Sequence, residues 1–376
     1  MIPFNKQNLF GNELEYIKEA YAANKVSGDG KFTKWCNDFI ESKFETKKAL
    51  LTTSGTHALE MAMLLIDLKE GDEVILPSYT FGSTANAIIL RGAVPVFVDI
   101  RKDTLNIDES LIEAAVTDRT KAIFPVHYAG VSCEMDEISR IAKKHDLFVI
   151  EDAAQGVNAK YRNSYLGTLG DIGCYSFHET KNYSMGEGGA ILINNERFID
   201  RAEIIREKGT NRSKFFRGEI DKYTWVDVGS SFLPSEINAA VLKAQFENLD
   251  VIQNRRNEIY RRYNEGLKDL ERSGSIVLPN VPENCTSNAH MFYVITKDLE
   301  ERTSLIKYLR NTGVYSVFHY VPLHMSEYYH KNFGKLNLPL TETLSSQLIR
   351  LPMFYSLENE AVDHIIESVI NFYSNN

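Results

Sequence analysis

Between residues 49 and 150, short apolar runs alternate with segments of helical pattern, and this alternation restricts the possible fold more than any other feature of the chain. Strands are predicted at residues 49–53, 73–77, 94–100, 121–127 and 147–150. Helices are predicted between them at residues 54–68, 83–90, 107–116 and 134–144. Because strands joined through helices take right-handed crossovers, the pattern predicts an α/β fold with a mostly parallel central sheet covered on both faces.

A second, smaller domain is predicted beyond this region. Residues 172–178 and 190–193 continue the sheet, whereas the segment that starts at residue 203 is too charged and too rich in aromatic side chains for a core element. We expect a large domain at residues 1–250 and a small C-terminal α+β domain at residues 251–376. The remaining predicted elements are helices at residues 12–24, 234–262, 302–311 and 360–373, a loop at 28–32, and strands at 289–296 and 314–317.

The composition excludes several classes of protein. A formal net charge of −9 over 376 residues argues against binding to nucleic acid or to an anionic membrane. No apolar run approaches the length of a membrane span, and no basic segment with a long apolar run follows Met1, so a cytoplasmic protein is expected. The four cysteines are widely spaced and form no CxxC pair, so neither a zinc site nor a disulfide framework is expected.

Polar motifs follow several of the predicted strands, at the edge where an open α/β sheet binds its ligands. Ser54-Gly55-Thr56 offers backbone N–H groups and hydroxyls at a helix start, which suits a phosphate. The aromatic pair in Tyr79-Thr80-Phe81 suits a planar ring. Each motif also has an ordinary explanation, as a helix cap or as core packing.

Two charged residues complete the set. Asp152 ends a hydrophobic strand, where a carboxylate is costly unless a positive group or a helix N-terminus meets it. Lys181 lies in a polar turn between two predicted core strands, where an amine could form a Schiff base with a carbonyl cofactor, although most lysines in turns are simply solvated. Together the motifs supply what pyridoxal 5′-phosphate requires. A Walker A sequence and a strand-linked GxGxxG are absent, which disfavours nucleotide hydrolysis and dinucleotide binding.

The chain resembles the DegT/DnrJ/EryC1/StrS family of nucleotide-sugar aminotransferases, which are fold-type I pyridoxal phosphate enzymes. The resemblance covers nearly the whole chain and ends with SVFHYVPLH at residues 316–324. It implies transamination in deoxyamino-sugar and polysaccharide biosynthesis, since a lysine stands where the family's dehydratases have histidine. The motifs that carry it are, in order, SGTHAL, LPSYTF, PVFVDI, PVHYAG, VIEDAAQ, SFHETKN and GEGGA.

The resemblance also implies roles for individual residues. Lys181 resembles the Schiff-base lysine and Asp152 the partner of the pyridine nitrogen. Gln155 is expected beside the phenolic oxygen of the cofactor, and Phe81 is expected to stack on its ring. The implied phosphate ligands are Gly55, Thr56 and Ser176, and the implied substrate-side pair is His319 and Tyr320.

One segment departs from the family pattern. The family usually reads GYNFR where this chain has GSSFL at residues 229–233, so Ser231 replaces an asparagine that reaches the phosphate from the neighbouring subunit. With HETKNY and EKGTNRSKFFRG, this variant resembles a subgroup that converts dTDP-4-dehydro-6-deoxy-D-glucose to dTDP-4-amino-4,6-dideoxy-D-galactose. A homodimer with shared active sites and L-glutamate as amino donor are therefore expected.

Several alternatives stay open. Arg212 and Arg217 are candidates for binding the diphosphate of the sugar nucleotide, because arginine pairs bidentately with phosphate oxygens, but either one could be merely exposed. The substrate could instead be a 3-keto dTDP sugar or a UDP-4-keto sugar, and a non-catalytic sugar-nucleotide-binding protein is a further alternative. His57 and His178 lie near the site motifs without an assigned role.

Overall fold

A seven-stranded sheet in the order β1-β9-β8-β5-β4-β2-β3 organises the larger part of the computed structural model, which describes residues 1–374. Two three-stranded sheets, β10-β6-β7 and β11-β13-β12, accompany it. The strands are β1 (Lys48–Thr52), β2 (Glu73–Pro77), β3 (Val94–Val98), β4 (Thr120–Ile123), β5 (Phe148–Asp152), β6 (Lys160–Tyr161), β7 (Ser164–Tyr165), β8 (Ile172–Ser176), β9 (Gly189–Ile193), β10 (Cys285–Thr286), β11 (Phe292–Ile295), β12 (Val317–Phe318) and β13 (Leu348–Leu351).

Helices connect and cover these sheets. None of those within residues 1–374 is long and apolar enough to cross a membrane. They are α1 (Glu13–Ala22), α2 (Lys31–Phe44), α3 (Gly55–Leu65), α4 (Gly82–Ile89), α5 (Glu109–Ile112), α6 (Met135–His145), α7 (Ile199–Arg206), α8 (Arg212–Phe216), α9 (Glu236–Glu247), α10 (Leu249–Gly266), α11 (Lys268–Arg272), α12 (Leu299–Asn311), α13 (Glu327–Phe333), α14 (Pro339–Gln347) and α15 (Asn359–Ser374).

The large sheet is parallel from β8 through β5, β4 and β2 to β3, and β9 runs antiparallel to both β8 and β1. Successive side chains of a strand face opposite sides, so each strand contributes to two cores. Leu51 packs in one hydrophobic cluster with Phe44 of α2, whereas Leu50 packs in another with Ala62 of α3. The prediction of an α/β fold with a mostly parallel sheet covered on both faces is confirmed.

The C-terminal part has a hydrophobic cluster of its own. Phe292 and Val294 of β11 pack there with Tyr263 of α10, Leu305 of α12 and Ile365 of α15. The predicted division at residue 250 falls close to the start of α10 and stays a prediction. The last two residues of the predicted small domain, 375 and 376, lie outside the described residues.

Helix α2 was not expected, because the sequence predicts a loop at residues 28–32 and nothing helical up to residue 48. Its start depends on a distant residue: Glu236, itself buried, accepts hydrogen bonds from the backbone N–H groups of Gly30, Phe32 and Thr33 at 2.8–3.0 Å. A carboxylate at a helix N-terminus satisfies otherwise unpaired N–H groups and meets the positive end of the helix dipole. This cap comes from 206 residues away, so no local pattern announces it.

Other expectations about single elements were wrong. The predicted long helix at 234–262 is two helices, α9 and α10, which meet at Asn248. The backbone of Asn248 leaves the helical conformation, and its side-chain amide donates to Ala244 O at 2.9 Å. The segment from residue 203 begins inside α7, where Ile205 is fully buried. The helix at 107–116 is one turn of α-helix followed by a 3₁₀ turn, and of the strand at 314–317 only Val317 is in a strand.

Candidate active site

A cleft of about 360 Å³ opens at the carboxyl ends of β2, β4, β5 and β8, between the large sheet and the C-terminal sheet β11-β13-β12. Strand ends at this edge supply one wall, and residues of the C-terminal part supply the other. The predicted site residues that line the cleft are Gly55, Thr56, Phe81, Asp152, Gln155, Ser176, Lys181, His319 and Tyr320. Residues that lie far apart in the sequence are thus brought together where the strand order predicts a ligand.

Asp152 is the last residue of β5 and is only 5% exposed. Its Oδ2 accepts a hydrogen bond from the Thr84 hydroxyl at 2.8 Å, and its Oδ1 accepts one from the backbone N–H of Ala154 at 3.1 Å. Burial raises the pKa of Asp152, while the bond from Thr84 and the charge of Lys181 oppose that rise. Within residues 1–374 no cationic side chain forms an ion pair with it, so a protonated ring nitrogen fits as its missing partner.

Lys181 lies in the turn between β8 and β9, where its backbone N–H donates to His178 O at 2.9 Å. Burial lowers the pKa of its ammonium group to about 8; the carboxylate of Asp152 opposes this shift and the guanidinium of Arg350 adds to it. An amine with such a pKa is partly neutral near pH 7, and only the neutral form attacks a carbonyl carbon. An amine with this pKa suits a carbonyl cofactor.

The start of α3 presents unpaired backbone N–H groups at one end of the cleft. Ser54 caps the helix by accepting the N–H of His57 at 3.0 Å, which leaves the N–H groups of Gly55 and Thr56 without an acceptor in the helix. A Cβ at Gly55 would lie 2.8 Å from the Cβ of Ser176, so only glycine brings the backbone this close to that hydroxyl side chain. These N–H groups and hydroxyls at a helix N-terminus suit a phosphate.

The opposite wall combines an amide, a histidine and aromatic rings. Gln155 Nε2 donates to the Tyr320 hydroxyl at 3.2 Å, and its Oε1 accepts the backbone N–H of Ala129 at 2.7 Å, so the amide is oriented from both ends. His319 Nδ1 lies 3.0 Å from the Tyr128 hydroxyl, and burial lowers the pKa of this imidazole well below its usual value. Phe81 is 64% exposed at the mouth, where its ring is free to stack on a planar ligand.

Three predicted site residues lie outside the cleft of their own chain. Ser231 is exposed and pairs in an isolated bridge with Glu207. Arg212 lies 3.3 Å from the carboxylate of Glu207, and Arg217 binds Glu203 and Glu219 at 2.7 and 2.6 Å. Their roles stay predictions, and they require either movement or a second copy of the chain.

Other residues of the cleft were not anticipated. The Thr84 hydroxyl donates to Asp152, and the hydroxyl of Ser83 lies 2.7 Å from that of Thr56. Ser83 and Thr84 stand at the start of α4, shortly after Phe81. Arg350 comes from β13, where a lone charged residue in the apolar run LIRLP was the available signal. Phe4 and His290 also line the cleft.

The two unassigned histidines differ in position. His178 lines the cleft, where its Nδ1 lies 2.9 Å from the Thr180 hydroxyl and its Nε2 lies 3.5 Å from Glu187. His57 is held by the Thr53 hydroxyl and meets the ring of Phe232 edge-on, with centroids 5.2 Å apart. His178 therefore lies where a ligand in the cleft can reach it, whereas His57 does not line the cleft.

Comparison with known proteins agrees with this geometry. The model of the DegT/DnrJ/EryC1/StrS aminotransferase family matches residues 8–370. GDP-perosamine synthase of Escherichia coli O157:H7 is 34% identical over 375 residues, 99% of both chains. The spore coat polysaccharide biosynthesis protein SpsC of Bacillus subtilis (strain 168) is 32% identical over 378 residues, 98% of this chain and 96% of the relative.

A solved structure from Streptococcus pneumoniae, described as a sugar aminotransferase in its PMP form, superposes with a TM-score of 0.93 at 26% identity and covers 100% of both chains. The same protein has been solved in a PLP form. The predicted cofactor, pyridoxal 5′-phosphate, is thereby confirmed, as is the resemblance on which it depended. The buried carboxylate without an ion pair, the amine of low pKa and the free helix N-terminus are the parts of the cleft that fit it.

Proposed function

Because the chain belongs to the DegT/DnrJ/EryC1/StrS aminotransferase family, we propose that it transfers the amino group of L-glutamate to dTDP-4-dehydro-6-deoxy-D-glucose. The coarser activity, amino transfer to a sugar substrate with this cofactor, is that of the family. The donor, the nucleotide and the position of the keto group are the proposed part. The products would be 2-oxoglutarate and dTDP-4-amino-4,6-dideoxy-D-galactose.

The observation that carries the activity is that Lys181 and Asp152 line one cleft, where Asp152 is buried and where desolvation lowers the pKa of Lys181. When bound, pyridoxal phosphate supplies a carbonyl carbon that accepts amines and a ring that accepts the electrons left behind when a proton departs. Lys181 Nζ, in its neutral form, accepts the proton from Cα of the donor and returns it to the carbon that receives it. Asp152 keeps the ring nitrogen protonated, which is the state that draws electrons most strongly.

The remaining cleft residues act by position. The N–H groups of Gly55 and Thr56 and the hydroxyl of Ser176 hold the phosphate, and Phe81 covers the ring at the mouth. Gln155, oriented by Ala129 and Tyr320, faces the phenolic side. His319 and Tyr320 lie on the substrate side. None of these proposed roles requires a side chain to move from its position in the structure.

The choice of dTDP follows from the segments HETKNY, EKGTNRSKFFRG and GSSFL, which resemble the subgroup that makes the 4-amino galactose. A GDP-linked 4-keto sugar is the second candidate, because a relative named for GDP-perosamine is 34% identical over 99% of the chain. A 3-keto dTDP sugar and a UDP-4-keto sugar complete the set to be tested. A non-catalytic binder is disfavoured, since binding alone gives no reason to keep a buried amine beside a buried carboxylate.

The test is a visible spectrum of the purified protein in two steps. L-glutamate should convert the absorbance of the bound pyridoxal form to that of the pyridoxamine form, and 2-oxoglutarate should accumulate. The pyridoxamine form is then mixed separately with the dTDP-, GDP- and UDP-linked 4-keto-6-deoxy sugars and with the 3-keto dTDP isomer. The proposal is supported if the absorbance of the pyridoxal form returns fastest with the dTDP-4-keto sugar. If it returns faster with another sugar, that sugar is the substrate instead.

The product needs its own measurement. The proton coupling constants at C4 distinguish an axial from an equatorial amine, and therefore the galactose from the glucose configuration. An equatorial amine would contradict the proposed product while leaving amino transfer intact. A protein that shows no cofactor absorbance after addition of pyridoxal phosphate would contradict the whole proposal and revive the binding protein.

We further propose a homodimer in which Ser231, Arg212 and Arg217 act in the cleft of the partner. The support is that all three lie outside the cleft of their own chain, beside exposed aromatic residues such as Phe216 and Trp225, which are 68% and 76% exposed. Mixing K181M, which lacks the amine, with R212A, which should bind the sugar nucleotide weakly, should restore turnover at low sugar concentration if subunits exchange, because a mixed dimer contains one site with both residues. Activity that stays absent after proven subunit exchange would contradict this arrangement.

A further inference from the structure

Arg350 projects into the cleft from the C-terminal sheet. It lies on β13, opposite Tyr293 of β11 and Val317 of β12, so its backbone is held from both sides. Its guanidinium group lies 4.7 Å from the centre of the Phe4 ring, and both side chains line the cleft. The charge is therefore fixed at one place in the cleft wall.

No anion among residues 1–374 neutralises this charge. Within residues 1–374, Arg350 forms no ion pair, and its buried Nε has no hydrogen-bond partner. The titratable groups that interact with it most strongly are three neutral tyrosines, Tyr79, Tyr128 and Tyr320. A desolvated cation without an anionic partner is costly, which indicates that a ligand supplies the anion.

Two substrates carry anions, and their chemistry distinguishes them. In an α-amino acid the carboxylate is bonded to the same carbon as the reacting amine. In a 4-keto sugar nucleotide the sugar ring separates the reacting carbon from the diphosphate. Arg350 lines the same cleft as Lys181, and its charge lowers the pKa of that amine. This placement favours the anion that is bonded next to the reacting nitrogen over one that is a sugar ring away.

We propose that Arg350 binds the α-carboxylate of the amino donor and so places the donor's amine and Cα beside Lys181. The inference depends on the proposed function for the identity of the donor as an α-amino acid. The planar guanidinium group is suited to this role, since it offers two parallel N–H donors to a carboxylate. The ring of Phe4 packs against the group.

The first experiment compares R350Q with a matched control, R302Q. Arg302 is also an arginine of the C-terminal part with an unpartnered, buried Nε and a phenyl ring nearby, that of Phe318 at 5.5 Å, but it does not line the cleft. Saturation of the first half-reaction with L-glutamate should require about 100-fold more donor in R350Q, the effect of one lost charged hydrogen-bonding pair. R302Q should behave as the wild type does, and R350K should fall between.

A second experiment needs no folded variant. The wild-type protein is given L-glutamate, L-glutamine, whose side-chain carboxylate is an amide, and L-isoglutamine, whose α-carboxylate is an amide. The proposal requires about 100-fold weaker saturation with L-isoglutamine than with L-glutamate in the wild type. It also requires that R350Q saturate with the two amino acids at similar concentrations. The comparison uses the ratio of the two saturating concentrations within one variant, so any effect of Arg350 on the reactivity of Lys181 cancels.

The possible results separate the two proposals. If no amino acid produces the pyridoxamine form in the wild type, the proposed function fails. If the wild type reacts with L-glutamate but discriminates only against L-glutamine, or if R350Q saturates as the wild type does, only the assignment of Arg350 is overturned. A variant that binds donor normally but loses affinity for the sugar nucleotide would assign Arg350 to the diphosphate instead and likewise overturn the inference.

Discussion

The amine of Lys181 should titrate far below the range of an exposed lysine. Burial lowers its pKa from 10.5 to about 8. With a pKa of about 8, roughly 9% of the amine is neutral at pH 7, whereas a pKa of 10.5 leaves about 0.03%, so burial increases the reactive fraction about 300-fold. The direction follows from charge, since desolvation disfavours the ammonium form.

Two substitutions should shift this midpoint in opposite directions. The carboxylate of Asp152 raises the pKa of Lys181, so D152N should lower it further. The guanidinium of Arg350 lowers it, so R350Q should raise it. Opposite shifts from two substitutions in the same cleft are the signature of direct charge interaction rather than of a general disturbance of the fold.

The assay is competitive labelling of the cofactor-free protein with trace acetic anhydride, followed by mass spectrometry of the peptide that contains Lys181. An exposed lysine, Lys102, labelled in the same samples corrects for the reagent. Extent of labelling against pH gives the midpoint for the wild type, D152N and R350Q. A wild-type midpoint near 10.5, or shifts of both variants in the same direction, would refute the account of Lys181 as a desolvated amine between two fixed charges.

Three further predictions concern the same structure. T84V should lower kcat/KM about 10-fold by removing the hydrogen bond to Asp152, whereas T84S should retain activity; equal loss in both would contradict a role for the hydroxyl. K181M should be more stable to urea than the cofactor-free wild type at pH 7, and the difference should shrink between pH 8 and 10.5, because the unfolded wild type binds more protons than the folded wild type in that range. E236Q should lower the free energy of unfolding by about 1–3 kcal/mol, since the amide cannot accept all the N–H groups at the start of α2; an unchanged urea midpoint would contradict the cap.

The alternation of strands and helices and the edge where ligands bind could be predicted from the sequence, because both follow from local pattern. Asp152 and Lys181 stand next to strand ends that apolar runs identify. Once neighbouring strands run parallel, their carboxyl ends must meet at one edge. The cleft therefore brings together residues that were predicted separately.

The missed features depend on contacts that no local pattern records. Helix α2 begins where it does because Glu236 reaches back to Gly30 and Phe32. Arg350 is marked in the sequence only as a lone charge in the apolar run LIRLP, and its place in the cleft depends on how β13 packs against the rest of the fold. Arg212, Arg217 and Ser231 depend on a contact beyond the chain itself, since the site that each is predicted to complete belongs to a second copy.

Strand β9 explains why the amine and the carboxylate meet. It runs antiparallel to β8, so the chain between them reverses direction and leaves Lys181 at the same edge as Asp152 of β5, the other neighbour of β8. The reversal also brings Gly189, the first residue of β9, against the start of α3, where an added Cβ would lie 2.6 Å from the backbone nitrogen of Gly55.

G189A should therefore weaken binding of pyridoxal phosphate about 10-fold or more, because the added methyl group would meet backbone atoms that cannot move away as a flexible side chain can. G186A adds a methyl group in the same loop with nothing within 4 Å, although the positive φ of 82° there carries its own strain. Cofactor affinity that falls in G186A and not in G189A would show that the shape of the loop, rather than the contact with the start of α3, sets the phosphate site.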